Sequence, residues 1–294
     1  MKKVFPILTA LLFAALLLLH PEQAGAAVRD GLTLCAATVI PSLFPFFVLT
    51  ALLLRLGLDS VLRPVCAPFM QPLFRLRGEC AAPLLAGFLG GYPTGARSAA
   101  QLYEQGVLTR GEAERLLGFC NNCGVGFLVG FVGAGILGSA RTGIALLMVH
   151  ILSALLSGAL LCRIMPHSDP PRLSCHLPAQ KTSLSTAFTS SVSGAVTSTL
   201  TVCAYVVFFR TMTALVPLPG ILTGAMEIVG AITSLTSDAI GFIAASGITA
   251  WGGLSVHCQT MAVTGELSLR WHTVGKLLQT IIAVVLAAII ARWM

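Results

Sequence analysis

The polar residues able to do chemistry are gathered at a few interruptions of an otherwise apolar chain. The first is Gly90-Gly91-Tyr92-Pro93-Thr94-Gly95, with Arg97 one helical step beyond. A helix broken inside an apolar medium leaves free N–H groups at one end and free C=O groups at the other, and such ends hold ions or polar solutes when they line a protected cavity. Glycine supplies the backbone freedom for the break, and Pro93 removes a donor. Tyr92, Thr94 and Arg97 add polarity that a simple packing kink does not need. The second interruption is Asn121-Asn122, after a stretch whose Thr109 and Glu112 have the spacing of a capping box. Two adjacent amides entering an apolar run are costly unless they bond to a substrate or to the broken backbone nearby.

Glu227 is the most isolated acid, flanked by the charge-free Thr211–Met226 and Ile228–Ser237. An intramembrane carboxylate is a candidate proton or cation site; the alternative is an ion pair with Arg210 at the outer surface. Thr233, Ser234, Thr236, Ser237 and Asp238 follow it and have the polarity of a hairpin tip. Trp251-Gly252-Gly253-Leu254-Ser255-Val256-His257-Cys258-Gln259 then carries several hydrogen-bonding groups into the next apolar run. His257 either titrates near neutrality or sits as a satisfied buried histidine. The expected substrate-binding set is Gly91, Tyr92, Pro93, Thr94, Arg97, Asn121, Asn122, Ser234, Ser255 and Gln259. Glu227 and His257 are the expected ion-coupling groups, for a proton or sodium.

Other chemistries find little footing. Cys120-Asn121-Asn122-Cys123 has CxxC spacing, but a redox or metal role needs a second ligand pair or a thioredoxin-like context, and neither is present. The nine cysteines are scattered, mostly through apolar runs, as small hydrophobes would be. Walker, HExxH and GxSxG patterns are absent, so neither an enzyme of those classes nor a resident cofactor is expected.

The elements that position these residues follow from composition. Only 10% of the 294 residues are charged and mean hydropathy is +0.89, whereas soluble domains run to about 25% charged. Repeated charge-free runs approach the roughly 20 residues that a helix needs to cross the hydrocarbon layer. The net charge of +7 reads as the positive-inside bias of loops at a lipid bilayer rather than as a nucleic-acid surface. The expectation is an all-α polytopic protein of the bacterial cytoplasmic membrane, with its N-terminus cytoplasmic.

About seven spanning helices and two re-entrant helical hairpins are expected, arranged as inverted repeats. Residues 1–30 form a leading helix, retained although Ala24-Gly25-Ala26 imitates a cleavage site. Residues 31–165 form the first unit with a hairpin over 80–103, residues 166–181 a cytoplasmic linker, and residues 182–294 the second unit with a hairpin over 221–251. With both hairpins, thirteen Lys and Arg residues, Lys276 among them, fall inside. Arg29, Arg141, Arg210 and Arg292 fall outside. Treating the first hairpin as a full span makes the split nine to eight, so the charge bias supports that hairpin. The second rests on repeat pattern alone. Inverted repeats with broken helices are a recurring transporter design.

Pro41–Phe47 (PSLFPFF), Gly90–Arg97 (GGYPTGAR), Glu112–Gly124 (EAERLLGFCNNCG) and Gly252–Gln259 (GGLSVHCQ) resemble, in order and over nearly the whole chain, the YlbJ/SpoVV-like sporulation membrane proteins. These belong to the nucleoside-recognition or Gate superfamily. The resemblance implies a secondary transporter of a small organic anion, dipicolinate, carried toward the forespore across the mother-cell-derived outer forespore membrane. It departs from the family pattern at Arg97, where lysine is frequent, and at Cys123-Gly124-Val125. Arg97 would add charge for the carboxylates, and Tyr92 would stack on the ring. A non-transporting scaffold of the spore envelope is the alternative, and a homo-oligomer is compatible with either.

Overall fold

The computed structural model describes residues 4–165, 183–216 and 219–293, and the expected linker over 166–181 lies outside the described residues. The regular elements among the described residues are all helices, without strands. The chain opens with α1 (Val4–Leu19) and α2 (Pro21–Leu34), which runs through a π-helical turn at Cys35–Val39 into α3 (Ile40–Arg55). Next come α4 (Leu58–Phe74), α5 (Ala81–Gly90), α6 (Thr94–Glu104) and α7 (Arg110–Cys120), then a π-helical segment at Gly126–Ile136 and α8 (Ala140–Ile164). After the linker follow α9 (Leu184–Leu215), α10 (Gly220–Met226), α11 (Ile228–Thr233), α12 (Ala239–Trp251), α13 (Gly253–Thr264) and α14 (Arg270–Ile290).

Among the described residues, five helical stretches are long and apolar enough to cross a membrane: Pro21–Arg55, Ala140–Ile164, Leu184–Leu215, Ala239–Thr264 and Arg270–Trp293. Ile7–Leu19, Gly78–Gly90 and Gly126–Ile136 are shorter apolar helices. The leading helix ends at Leu19 rather than near residue 30. Pro21, which prefers the first turn of a helix, starts a new one there, and this becomes the first half of the long span.

Side-chain distribution is that of a protein solvated by lipid. On α8, Ile144, Met148, Leu152, Leu156 and Leu160 are exposed, four residues apart, whereas His150, Ser153, Ala154 and Ser157 are buried. On α14, Leu277, Ile281, Val285 and Ile289 face outward while Lys276, Gln279, Ala283 and Ala287 face inward. A water-facing helix shows the reverse order; helices in a bilayer put small and polar residues between them. This chain is a polytopic helical membrane protein.

Glycines set how closely the central helices meet. A Cβ at Gly275 would stand 2.0 Å from the carbonyl oxygen of Gly118, so α14 lies directly on the α7 backbone. α5 and α6 fold back as a helical hairpin, with Gly87 and Gly95 on either side of the Cys120 carbonyl; a Cβ at either would stand 1.7 or 2.1 Å from that oxygen.

The second expected hairpin takes a different form. The chain reverses at Glu227, where Gly224 of α10 lies against Ala231 of α11; a continuous helix would hold residues seven apart at about 10 Å. The polar stretch at residues 234–238, which has the composition of a tip, is the loop into α12. α12 continues through a break at Gly252 into α13, and the two together are long and apolar enough to cross a membrane. Each half therefore contains the same series: a short helical hairpin, a helix broken in its middle and a long unbroken helix.

Candidate functional site

Four breaks meet in the interior, each made by local chemistry. In the first hairpin α5 stops at Gly91, whose φ of +78° with ψ of −167° only glycine adopts readily. A Cβ there would lie 2.8 Å from the Gly124 nitrogen. Tyr92 and Pro93, joined by a cis peptide bond, lead into α6. The second break begins where α7 ends. α7 starts with the expected capping box between Thr109 and Glu112, and Glu112 also receives two hydrogen bonds from Arg77, at 2.8 and 2.9 Å. It stops at Asn121, which is extended.

The third break is at Glu227. Its carboxylate accepts from the backbone N–H of Val229 at 2.8 Å and of Gly230 at 2.6 Å, starting α11 without a glycine or proline at the turn. The fourth is Gly252-Gly253, both left-handed with φ of +82° and +77°. These last two breaks lock together: a Cβ at Gly253 would lie 3.0 Å from the Met226 carbonyl oxygen, and Trp251 Nε1 donates to Ala225 O at 3.0 Å.

A cavity of about 40 Å³ lies where these breaks converge, bordered by Gly90, Gly91, Tyr92, Cys123, Gly124, Ile228, Val229, Ser255 and Gln259. Val39, Leu43, Phe47, Phe127, Val202 and Val206 form its apolar wall. Ser255 Oγ and Gln259 Oε1 are buried without a protein partner, and such groups are rare unless something else satisfies them. The cavity has room for two or three waters, so an aromatic solute would enter only if the hairpin tip and α13 moved apart.

Behind Tyr92 lies a second polar group that sequence reasoning missed. Lys276 is 0% exposed. Its Nζ donates to Gln279 Oε1 at 2.8 Å and to Tyr92 Oη and Asn122 Oδ1, each at 3.4 Å, and lies 5.2 Å from the centre of the Tyr92 ring. Gln279 Nε2 also donates to Asn122 Oδ1 at 3.2 Å. Tyr92 Oη donates to Thr249 O at 3.1 Å, tying the first hairpin to α12. Lys276, counted among the charges of the inner side, is not solvated there: it lies six residues into α14, about 9 Å along the axis, and is buried. The available signal was its register, since 276, 279, 283 and 287 share a helix face that otherwise carries alanine.

The remaining expected residues divide clearly. Gly91, Tyr92, Ser255 and Gln259 border the cavity. Asn122 belongs to the lysine cluster and satisfies the broken backbone, its Nδ2 donating to Phe119 O at 2.8 Å. Asn121 Nδ2 donates to Thr260 Oγ1 at 2.7 Å, holding the α7 break against α13. Pro93 and Thr94 build the hairpin turn, with Thr94 packed on Gly90. Arg97 reaches Ser198 Oγ on α9 at 3.4 Å, and Ser234 closes α11 through Ala231 O at 2.8 Å; neither borders the cavity. Glu227 lines a separate cleft with Asp30 and Arg210. His257 packs between Trp251, tilted to it, and His272, edge-on to it, with centroid distances of 4.5 and 4.9 Å. Cys123 Nα donates to His150 Nε2 at 3.1 Å and its thiol to Thr249 O at 3.6 Å. Outside the spans, the Gly241 N–H and Thr236 hydroxyl hold the Asp238 carboxyl below its usual range.

Helical spans broken around an interior cavity place the chain in the class of polytopic helical membrane proteins with discontinuous helices. The model of the nucleoside-recognition family, Gate, matches residues 36–292, and the chain belongs to that family. It is also similar to the sporulation integral membrane protein YlbJ of Bacillus subtilis (strain 168), 36% identical over 148 residues, which is 50% of this chain and 36% of that protein. The match thus spans little more than a third of the length of that relative. No solved structure matches the chain.

Proposed function

We propose that the chain is a secondary transporter of a small organic anion, with its substrate site at the junction of the four breaks. The observation that carries this reading is the cavity, lined by the Gly91–Tyr92 break together with Ser255 and Gln259, whose Oγ and Oε1 are buried without a protein partner. The repeated order of hairpin, broken helix and long helix supports two inverted halves moving against each other about that point. Anionic cargo is supported by Lys276, a buried amine with neutral hydrogen-bonding partners directly behind Tyr92.

Dipicolinate is the cargo we infer from the likeness to a sporulation membrane protein, carried from mother cell toward forespore across the outer forespore membrane. Its planar ring matches the apolar wall and Tyr92, while a carboxylate matches Lys276. The test is uptake of labelled dipicolinate into vesicles containing the protein, under imposed proton, sodium and potential gradients. Accumulation abolished by Asn122→Ala supports transport. Absence of accumulation under every gradient contradicts it and favours a scaffold of the spore envelope.

A further inference from the structure

Lys276 is the one described lysine or arginine sealed inside the bundle whose hydrogen bonds reach neither a carboxylate nor a backbone carbonyl; among the described residues no carboxylate pairs with it. Its three acceptors, Tyr92 Oη, Asn122 Oδ1 and Gln279 Oε1, are neutral. The titratable groups facing it are Tyr92 from the first hairpin, Cys120 and Cys123 from the end of α7, His150 from α8, His257 from α13 and His272 from its own helix. None is a carboxylate. Of the acids on α7, Glu112 pairs with Arg77 and Glu114 with Arg110. Arg141 and Arg163 stand near the two ends of α8, and α12 and α13 carry no charged residue.

An ammonium held away from water is costly unless a counter-charge meets it. The described residues supply none at this point, whereas an arriving carboxylate would. We propose that Lys276 is both the anion-binding and the proton-coupling group: substrate carboxylate and proton bind together, forming an ammonium–carboxylate pair between Tyr92, Asn122 and Gln279. The balance is simple. A proton from water joins the amine nitrogen as the carboxylate arrives, no covalent bond to carbon changes, and on release the proton leaves with the anion. Tyr92 touches both the cavity and Nζ, so a shift of this one ring would open the cavity onto the lysine. Coupling then sits at the substrate site itself, whereas both oxygens of Glu227 are occupied by backbone N–H groups.

This rests on the reading of the cavity as an anion site, and the experiment separates the two claims. Purified protein is mixed with dipicolinate in weakly buffered solution containing a pH dye, at a pH where both carboxylates are already ionised. Wild type takes up close to one proton per anion bound, and its affinity falls by about tenfold per pH unit where the coupling is complete. Lys276→Arg, permanently charged, binds the anion without proton uptake. Lys276→Gln binds about 10- to 100-fold more weakly, the usual worth of a charge-assisted bond. Binding by wild type with no proton exchange overturns the proposal without any variant, and so does undiminished proton uptake by Lys276→Arg. Failure of wild type to bind dipicolinate overturns both the proposal and the substrate class. Proton-linked binding without vesicle accumulation would sustain the proposal and remove only the transport reading.

Discussion

Tyr92 and Lys276 are separated by 184 residues in the chain, yet the tyrosine hydroxyl lies 3.4 Å from the lysine amine. The contact joins the break of the first hairpin to the last long helix, and the same hydroxyl donates to Thr249 O on α12. Tyr92→Phe keeps the ring against the cavity and removes both bonds. The expected cost is about 0.5–1.5 kcal/mol, read as a lower unfolding temperature in detergent together with weaker dipicolinate binding. Unchanged binding would show that the hydroxyl does not orient the lysine.

Close backbone packing beside the lysine gives a second expectation. In Gly275→Ala the added methyl would meet the Gly118 carbonyl at 2.0 Å, where only backbone stands to move aside. Overpacking of this kind costs about 1–3 kcal/mol. Gly111→Ala is the comparison, since nothing lies within 4 Å of its added Cβ, and it should be neutral or stabilising by up to about 1 kcal/mol. Thermal unfolding of both variants checks the contrast.

Glu227 starts α11 with its own side chain, and the residue is 2% exposed. Glu227→Ala leaves the Val229 and Gly230 N–H groups without acceptors, at a cost of about 1–3 kcal/mol. Hydrogen exchange at those two amides should rise sharply. If they remain protected, another group caps the helix.

Asp238 gives a pH dependence outside the spans. Its carboxyl is held below the usual range by the Gly241 N–H and the Thr236 hydroxyl. A depressed acid contributes stability that is present above its unfolded value, about 3.9, and is lost as pH falls through the folded value. Exchange at the Gly241 amide should therefore quicken below about pH 4 in wild type. In Asp238→Ala it should already be fast at neutral pH.

The membrane class was legible because charge-free runs and an all-round apolar composition leave a helix no watery face. The first hairpin was legible too: Gly90, Gly91 and Pro93 mark a break in the sequence itself, and the arginines on either side mark its return. The second was misplaced for the corresponding reason. Its reversal is made by the Glu227 carboxylate folding onto its own backbone, a turn with no glycine or proline to announce it. The polar residues at 234–238, which do look like a tip, are an ordinary loop. Lys276 escaped notice because a charge six residues past Arg270 counts as flanking a span. Tertiary contacts draw that turn of α14 inside, among them Gly275 against Gly118 and His272 Nδ1 with Leu117 O.

The central claim is that the meeting point of the four breaks is the substrate site, and equilibrium binding of labelled dipicolinate tests it most directly. Wild-type protein should bind one dipicolinate per chain, with affinity lowered about tenfold or more in Gln259→Leu, which removes an unpartnered acceptor from the cavity wall. Binding that is unaffected by Gln259→Leu and by Ser255→Ala would contradict the account and place any substrate site elsewhere in the bundle.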